Sequence, residues 1–324
     1  MKINDFLRYM ECEGLKKVVL TKRENINYFL GKYFPFFSVL VFEEKPILYV
    51  GELDLEYAKD NLNIEVRKFT GWKEIFEGCD GVESELKIEF LKYLDNYKIV
   101  SEKLRELRAI KEKEEIEKIK KAAKISDKAM KYIIENPEGN EREKAIELEY
   151  LMRKEGAIKA AFDSIVVSGR KTSYPHALPE DREIKDILLV DIGACYEGYC
   201  SDITRTLLLN ERGEFREIYN LVKEAKELVE DYLREGVSTK FLDLKVREYF
   251  KEYEKYFIHS LGHGVGLEVH EFPTVSKKEE IILKENMVIT IEPGIYIKDK
   301  FGVRLEDLYL IKKDGFEKLS KVTL

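Results

Sequence analysis

Glutamine is absent from the 324-residue sequence, and cysteine, histidine and tryptophan are scarce at four, four and one. Four cysteines with no Cys-x-x-Cys pair make neither a disulfide framework nor a zinc ribbon. No apolar run approaches the roughly 18 residues that a membrane-crossing helix requires. The chain starts MKINDFLRYM, without the apolar core of a secretion signal. The expectation is a cytoplasmic protein with no membrane partner. Neither sign of charge dominates, with 56 Lys+Arg interleaved among 63 Asp+Glu for a formal net charge of -7. That leaves no basic footprint for nucleic acid. What the chain does have is 44% hydrophobic and 37% charged residues, enough for the cores of two domains beneath an ionic surface. A Lys/Glu-rich, glutamine-free composition is typical of heat-adapted proteins and speaks to stability, not function.

The first part of the chain alternates short strand and helix signals. Runs rich in β-branched and aromatic residues at 17–20, 36–43, 46–50 and 64–69 predict strands. Helical stretches are expected at Asp5–Glu13, Asn25–Leu30, Leu53–Asn61 and Glu83–Asn96. Residues 1–105 therefore read as a small α/β domain. It has no histidine and no glycine-rich phosphate loop, so no chemistry is assigned to it.

Residues 106–324 read as a second domain, opened by a long charged helix. Its apolar positions Ile116, Ile119, Ala123, Met130 and Ile133 recur at helical spacing, with the Lys/Glu positions as the solvated face. Helices near 113–135 and 141–155 precede strands near 164–168, 187–194 and 199–208. Helices near 214–235 and 239–254, with Gly236 and Ser238 as stop and start between them, precede strands near 265–270, 286–292 and 302–312. Two such halves suggest an internal duplication with a cleft where they meet.

All four histidines, His176, His259, His263 and His270, fall in this second domain, three of them in HSLGHGVGLEVHEFP. The segment has no second histidine four residues after His270, so it is not a zinc-protease HExxH. Gly262, Gly264 and Gly266 oppose a helix and do not form a dinucleotide fingerprint. Four acids end or interrupt apolar strands: Asp191 in ILLVD, Asp202 after the YEG turn, Glu292 in MVITIEPG and Glu306 in GVRLEDLYLI, where Arg304 shares the face of Glu306. Any one of them has an ordinary explanation as a strand-end cap or salt bridge. Four together, beside clustered histidines, are hard to neutralise without divalent cations. Oxygen-rich ligation with an imidazole suits Mn, Co, Fe or Zn, and bridging carboxylates suit two ions. Cys195 and Cys200 read as packing residues near the acids.

DIGACYEGYCSDITRT, GHGVGLEVHE, ITIEPGIYI and GVRLEDLYL together resemble the pita-bread metallopeptidases, in the branch of Xaa-Pro dipeptidases (prolidases) and Xaa-Pro aminopeptidases. The resemblance is strong over about 100–324 and looser before it. It implies an α/β (α+β) chain, with a small N-terminal α/β domain followed by a pita-bread domain with internal pseudo-twofold duplication. It implies two divalent metal ions, Mn or Co first and Fe or Zn as alternatives, held by Asp191, Asp202, His263, Glu292 and Glu306, with Asp202 and Glu306 bridging. Glu292 would also shuttle a proton, His270 would stabilise an oxyanion, His176 would contact substrate near the scissile bond, and His259 and Arg304 would lie on the proline side. Arg304 could instead neutralise the acids. The implied activity is hydrolysis of the bond before proline in Xaa-Pro dipeptides, with a homodimer as the expected assembly. The alternatives are an Xaa-Pro aminopeptidase acting on longer peptides, a non-catalytic peptide-binding module, and a metal-free amidine hydrolase, which would not need five intact ligands.

Overall fold

The computed structural model describes residues 2–210 and 213–323. The chain divides into two compact units, Met1–Arg108 and Ala109–Leu324.

The first unit contains α1 (Lys2–Glu13), β1 (Val18–Leu20), α2 (Arg23–Leu30), β2 (Ser38–Phe42), β3 (Pro46–Val50), α3 (Leu55–Asn61), β4 (Glu65–Lys68), α4 (Trp72–Phe76), β5 (Gly81–Val82), β6 (Lys98–Ile99) and α5 (Ser101–Ala109). Its six strands form one sheet in the order β4-β3-β2-β1-β5-β6. The central strands β1 and β2 are buried along their whole length, which is why they read as continuous apolar runs and not as alternating ones. The helix expected at Glu83–Asn96 does not form; only a 3-10 turn at Ile88–Tyr93 is present. The Glu83 carboxylate instead accepts the backbone N–H groups of Thr21 and Lys22 and the Asn25 amide, while the Ser84 N–H goes to the Ser101 hydroxyl. Those cross-links fix 83–84 in a conformation a helix could not accommodate.

The second unit repeats one plan twice. Helices α6 (Lys113–Glu135) and α7 (Glu141–Lys154) come first. A reciprocal Glu112–Glu115 capping box starts α6, and Asn140 caps α7. They are followed by β7 (Lys159–Ala160), β8 (Ile165–Ser168), β9 (Ile187–Ile192), β10 (Ala194–Tyr196), β11 (Tyr199–Cys200) and β12 (Ile203–Leu208), with β12-β9-β8 as one antiparallel sheet and β11-β10-β7 as another. Then come α8 (Gly213–Glu230) and α9 (Thr239–Phe250), the latter capped by Ser238. The last strands are β13 (Gly262–Gly264), β14 (Glu271–Val275), β15 (Val288–Ile291), β16 (Gly294–Ile297), β17 (Phe301–Arg304), β18 (Asp307–Lys312) and β19 (Gly315–Lys318). They form a five-stranded sheet, β14-β13-β15-β18-β19, and a β16–β17 ribbon. Each half has its own apolar core, one around Met130, Leu148, Val166 and Val190, the other around Val222, Val246, Ile289 and Tyr309. Among the described residues no helix is long and apolar enough to cross a membrane.

The strand expected at 265–270 is a turn between β13 and β14. Its cause is close backbone approach at glycine. A Cβ on Gly264 would lie 2.3 Å from the Phe272 carbonyl oxygen, and one on Gly262 would lie 2.0 Å from that of Thr290. The register also shifts between His263 and Gly264, which re-aims the imidazole-bearing segment.

Candidate metal centre

Five side chains singled out from the sequence converge from both halves of the second unit. Asp191 sits on β9 opposite Thr204, and Asp202 immediately precedes β12. His263 lies on β13, Glu292 follows β15, and Glu306 stands in the short link between β17 and β18. Antiparallel pairing of β12 with β9 and of β15 with β18 brings these strand ends together.

The candidate ligand atoms fall into three overlapping groups: Asp202, His263 and His270; His263, Glu292 and Glu306; and Asp191, Asp202 and Glu306. Within each group the atoms lie within 4.8 Å of one another. Three of the acids each hold a buried oxygen with no hydrogen-bond partner, namely Asp191 Oδ1, Asp202 Oδ1 and Glu306 Oε1. Buried carboxylate oxygens are normally satisfied, because leaving one bare costs about 1–3 kcal/mol or more. Four carboxylates and one imidazole are a hard, oxygen-rich donor set of the kind that divalent cations occupy. The residues present fit such ions.

The electrostatics agree. Burial, and then the charges of Glu306 and Asp191, push the Asp202 carboxyl well above its ordinary range. Burial, followed by Glu292 and Asp191, does the same to Glu306. Asp191 is also raised by burial, although Arg304 pulls the other way. Glu292 moves down to about 2: burial opposes this, but the hydrogen bond and charge of His263, then His259 and Arg304, outweigh it. His263 Nε2 lies 3.3 Å from Glu292 Oε1 and 3.6 Å from Asp202 Oδ2, and its Nδ1 lies 3.2 Å from the Gly264 carbonyl. A proton on Nδ1 given to that carbonyl leaves the Nε2 lone pair for a cation.

The other four candidates surround this cluster. His270 packs edge-on against His263 with ring centroids 4.1 Å apart. Burial, then the neighbouring His263, lowers its pKa to about 4. His176 is exposed, on the segment between β8 and β9. Arg304 is buried, and each of its three nitrogens is engaged: Nη2 gives a 2.6 Å bond to Asp191 Oδ2, Nε bonds Thr204, and Nη1 bonds Tyr296 and the Pro175 carbonyl. His259 Nε2 meets the Tyr296 hydroxyl at 2.9 Å and Nδ1 meets the Ser260 carbonyl at 2.8 Å. Arginine only donates, so the Tyr296 hydroxyl accepts from Arg304 and gives its own proton to His259 Nε2. His259 is thereby fixed with its proton on Nδ1, and both ring nitrogens are engaged. Burial first lowers its pKa.

Sequence reasoning did not reach Tyr296 or Thr204. Thr204 gives its hydroxyl proton to Glu306 Oε2 at 2.7 Å while accepting from Arg304. Their signal was available: Thr204 lies two residues past Asp202 in DITRT, and Tyr296 lies in PGIYI, both on faces set by the two-residue strand period. Cys195 and Cys200 are buried and stand opposite each other across the β10–β11 hairpin, without a disulfide between them.

A cavity of about 570 Å³ opens over the cluster. All four histidines of the chain line it, together with the four acids, Arg304, and a wall of Phe162, Ile165, Pro175 and Leu178. The volume suits a small peptide.

The family described as Metallopeptidase family M24 matches residues 117–313. An uncharacterised peptidase of Methanocaldococcus jannaschii is 63% identical, over 100% of this chain and 96% of that relative. An Xaa-Pro dipeptidase of Pyrococcus furiosus is 42% identical over 99% of this chain and 97% of its own length. The solved prolidase from the same organism superposes with a TM-score of 0.94 at 40% identity, covering 98% of this chain and 99% of that one. An X-Pro aminopeptidase from Thermotoga maritima gives 0.85 at 33% identity over 96% of each. The α/β N-terminal part followed by a pita-bread part is the fold of these structures and of this chain. Fold, matched residues and full-length identity converge, and the chain belongs to metallopeptidase family M24.

Proposed function

We propose that the protein is a dinuclear-metal Xaa-Pro dipeptidase whose ligands are Asp191, Asp202, His263, Glu292 and Glu306. The observation that carries this reading is the set of three bare, buried oxygens on Asp191, Asp202 and Glu306, inside groups that share Asp202, His263 and Glu306. Three overlapping groups around shared carboxylates suit two ions better than one. Mn or Co is the leading choice of ion, with Fe or Zn as alternatives. Bound there, two divalent cations would polarise a carbonyl oxygen and acidify a water.

The protein's own groups supply the rest. Glu292, ionised at neutral pH, accepts a proton from the attacking water and passes it to the departing nitrogen. That transfer is needed because the proline nitrogen departs as an amine and must gain a proton as the C–N bond breaks. His270 presents an imidazole N–H where negative charge develops on the carbonyl oxygen. His176, at the cavity rim, contacts substrate beside the scissile bond. His259 has no nitrogen left to offer and turns a flat ring toward the proline side. Arg304 acts as a positioning residue, holding Asp191 and Tyr296.

A second reading has an observation of its own. Arg304 is the only Lys or Arg among the cavity-lining residues, and each of its three nitrogens already donates to a protein group. A dipeptide's terminal carboxylate therefore meets no uncommitted Lys or Arg in that wall, whereas a longer Xaa-Pro-Yaa peptide needs none there. That is an aminopeptidase's requirement. The deciding experiment measures kcat/KM for Met-Pro and Met-Pro-Gly after reconstitution with Mn or Co. The dipeptidase reading expects the dipeptide to be preferred at least tenfold; preference for the tripeptide overturns it, and no cleavage of either overturns both.

A further inference from the structure

Asp163 is an acid in the cavity wall that the proposed metal centre does not use. It lies beside Phe162 and Ile165 in the lining, is exposed, and is reached by no hydrogen bond or ion pair from the described residues. The other acids of the lining, Asp191, Asp202, Glu292 and Glu306, are the proposed ligands, whose charge the cations would neutralise. In the loaded enzyme Asp163 is therefore the uncommitted negative charge of the wall.

Its placement follows from a local irregularity. Before it, the Ala161 N–H bonds the Gly193 carbonyl at 2.8 Å. After it, Ile165 stands opposite Asp191. Three residues, 162–164, thus face the single Ile192, a bulge of the kind that re-aims side chains beside active sites. Asp163 sits at its centre, two residues from the partner of Asp191, which at strand spacing is about 7 Å along the chain. Phe162 and Ile165, which line the same cavity, are apolar and leave Asp163 as the charged group of that stretch of wall.

We infer that Asp163 recognises a cationic nitrogen carried by the residue on the N-terminal side of the scissile bond, and so helps set substrate preference. This rests on the Xaa-Pro reading. Two nitrogens share that chemistry: the free α-ammonium of the substrate and the side-chain cation of a Lys or Arg at that residue.

The test compares wild type with Asp163→Asn, both Mn-reconstituted, on lysyl-proline, norleucyl-proline and hexanoyl-proline. The series removes first the side-chain ammonium and then the α-ammonium at nearly constant shape. A roughly tenfold loss of kcat/KM in the variant for lysyl-proline alone supports the side-chain source. The same loss for lysyl- and norleucyl-proline, with hexanoyl-proline unchanged, supports the α-ammonium. Unchanged values for all three, or an equal loss on all three, overturn the inference. If wild type cleaves none of them, the reading of the reaction fails, and calorimetric titration of the three compounds into both Mn-loaded proteins still decides the role of Asp163. Tighter binding of the cationic members that disappears in the variant supports it, and equal affinities contradict it.

Discussion

Glu306 and Asp307 are neighbours in sequence, both acidic and both buried, at 2% and 3% exposure, yet they sit in opposite electrostatic worlds. Asp307 faces Arg205 at 2.6 Å, Lys226 at 2.5 Å and Lys318 at 3.5 Å. Burial pushes its carboxyl up, but the charges of Arg205 and Lys226 outweigh this and hold it below its ordinary value. Glu306 faces other acids, keeps one bare oxygen, and is pushed well above its ordinary value. Burial is therefore not what marks a functional acid. The mark is too little counter-charge: Asp307 makes ion pairs with three cations, while Glu306, one residue away on the other face of the chain, has only the field of Arg304 against several acids.

The largest effect that could break this contrast is on turnover. Asp202→Asn and Glu306→Gln should each lower kcat on an Xaa-Pro substrate by at least about a thousandfold, since each removes a proposed bridging ligand. Circular dichroism and thermal melting should report a folded protein in both cases. Near-wild-type turnover in either variant removes the dinuclear account.

Asp307→Asn should do the reverse. Stripping one partner from a buried ion network leaves Arg205 and Lys226 under-compensated and should cost about 3–5 kcal/mol of stability, read from urea unfolding, while metal stoichiometry is retained. A variant as stable as wild type would show that the paired acid is not structural.

Metal itself should separate the pair further. Chelation should abolish activity and lower stability, and Mn or Co at about a hundred times its dissociation constant should restore about 2.7 kcal/mol. Glu306→Gln should lose most of that gain and Asp307→Asn should keep it. Chelator-resistant cleavage counts against any metal role.

The smallest effect is in pH dependence, where the signs oppose. Asp307 has a lowered folded-state pKa, so its contribution is present above the ordinary carboxylate range near 4 and is lost as pH falls below it. Glu306 has a raised one, so in metal-free protein its contribution is present at low pH and is lost as pH rises from about 4 through the folded value. Metal-free Glu306→Gln should therefore match wild type near pH 4 and gain on it toward pH 8. An unfolding series across that range with a constant difference would contradict the assignment.

Much of this site was legible in the sequence, for a physical reason. Asp191 lies within an apolar strand, and Asp202, Glu292 and Glu306 lie at the ends of such strands; a charge in such a place needs partners that the run itself does not contain. The paired Asp307 escaped notice because its nearest cations, Arg205 and Lys226, lie on elements distant in sequence and follow no local pattern. The strand period made the faces of Thr204 and Tyr296 legible, but not their partners Glu306, Arg304 and His259, which meet them only once β12, β16 and β17 come together. In the fold, long amphipathic helices such as α6 were readable from periodicity. The segments at 83–96 and 265–270 were not, because a buried cross-link from Glu83 and backbone approach at Gly264 override local propensity.

The central claim, that acids with bare buried oxygens converge because cations hold them, is tested most directly by anomalous diffraction at the manganese edge from crystals of Mn-loaded protein. The account predicts two peaks, each within coordination distance of side chains among Asp191, Asp202, His263, Glu292 and Glu306. An empty site, or manganese bound only elsewhere, would contradict it.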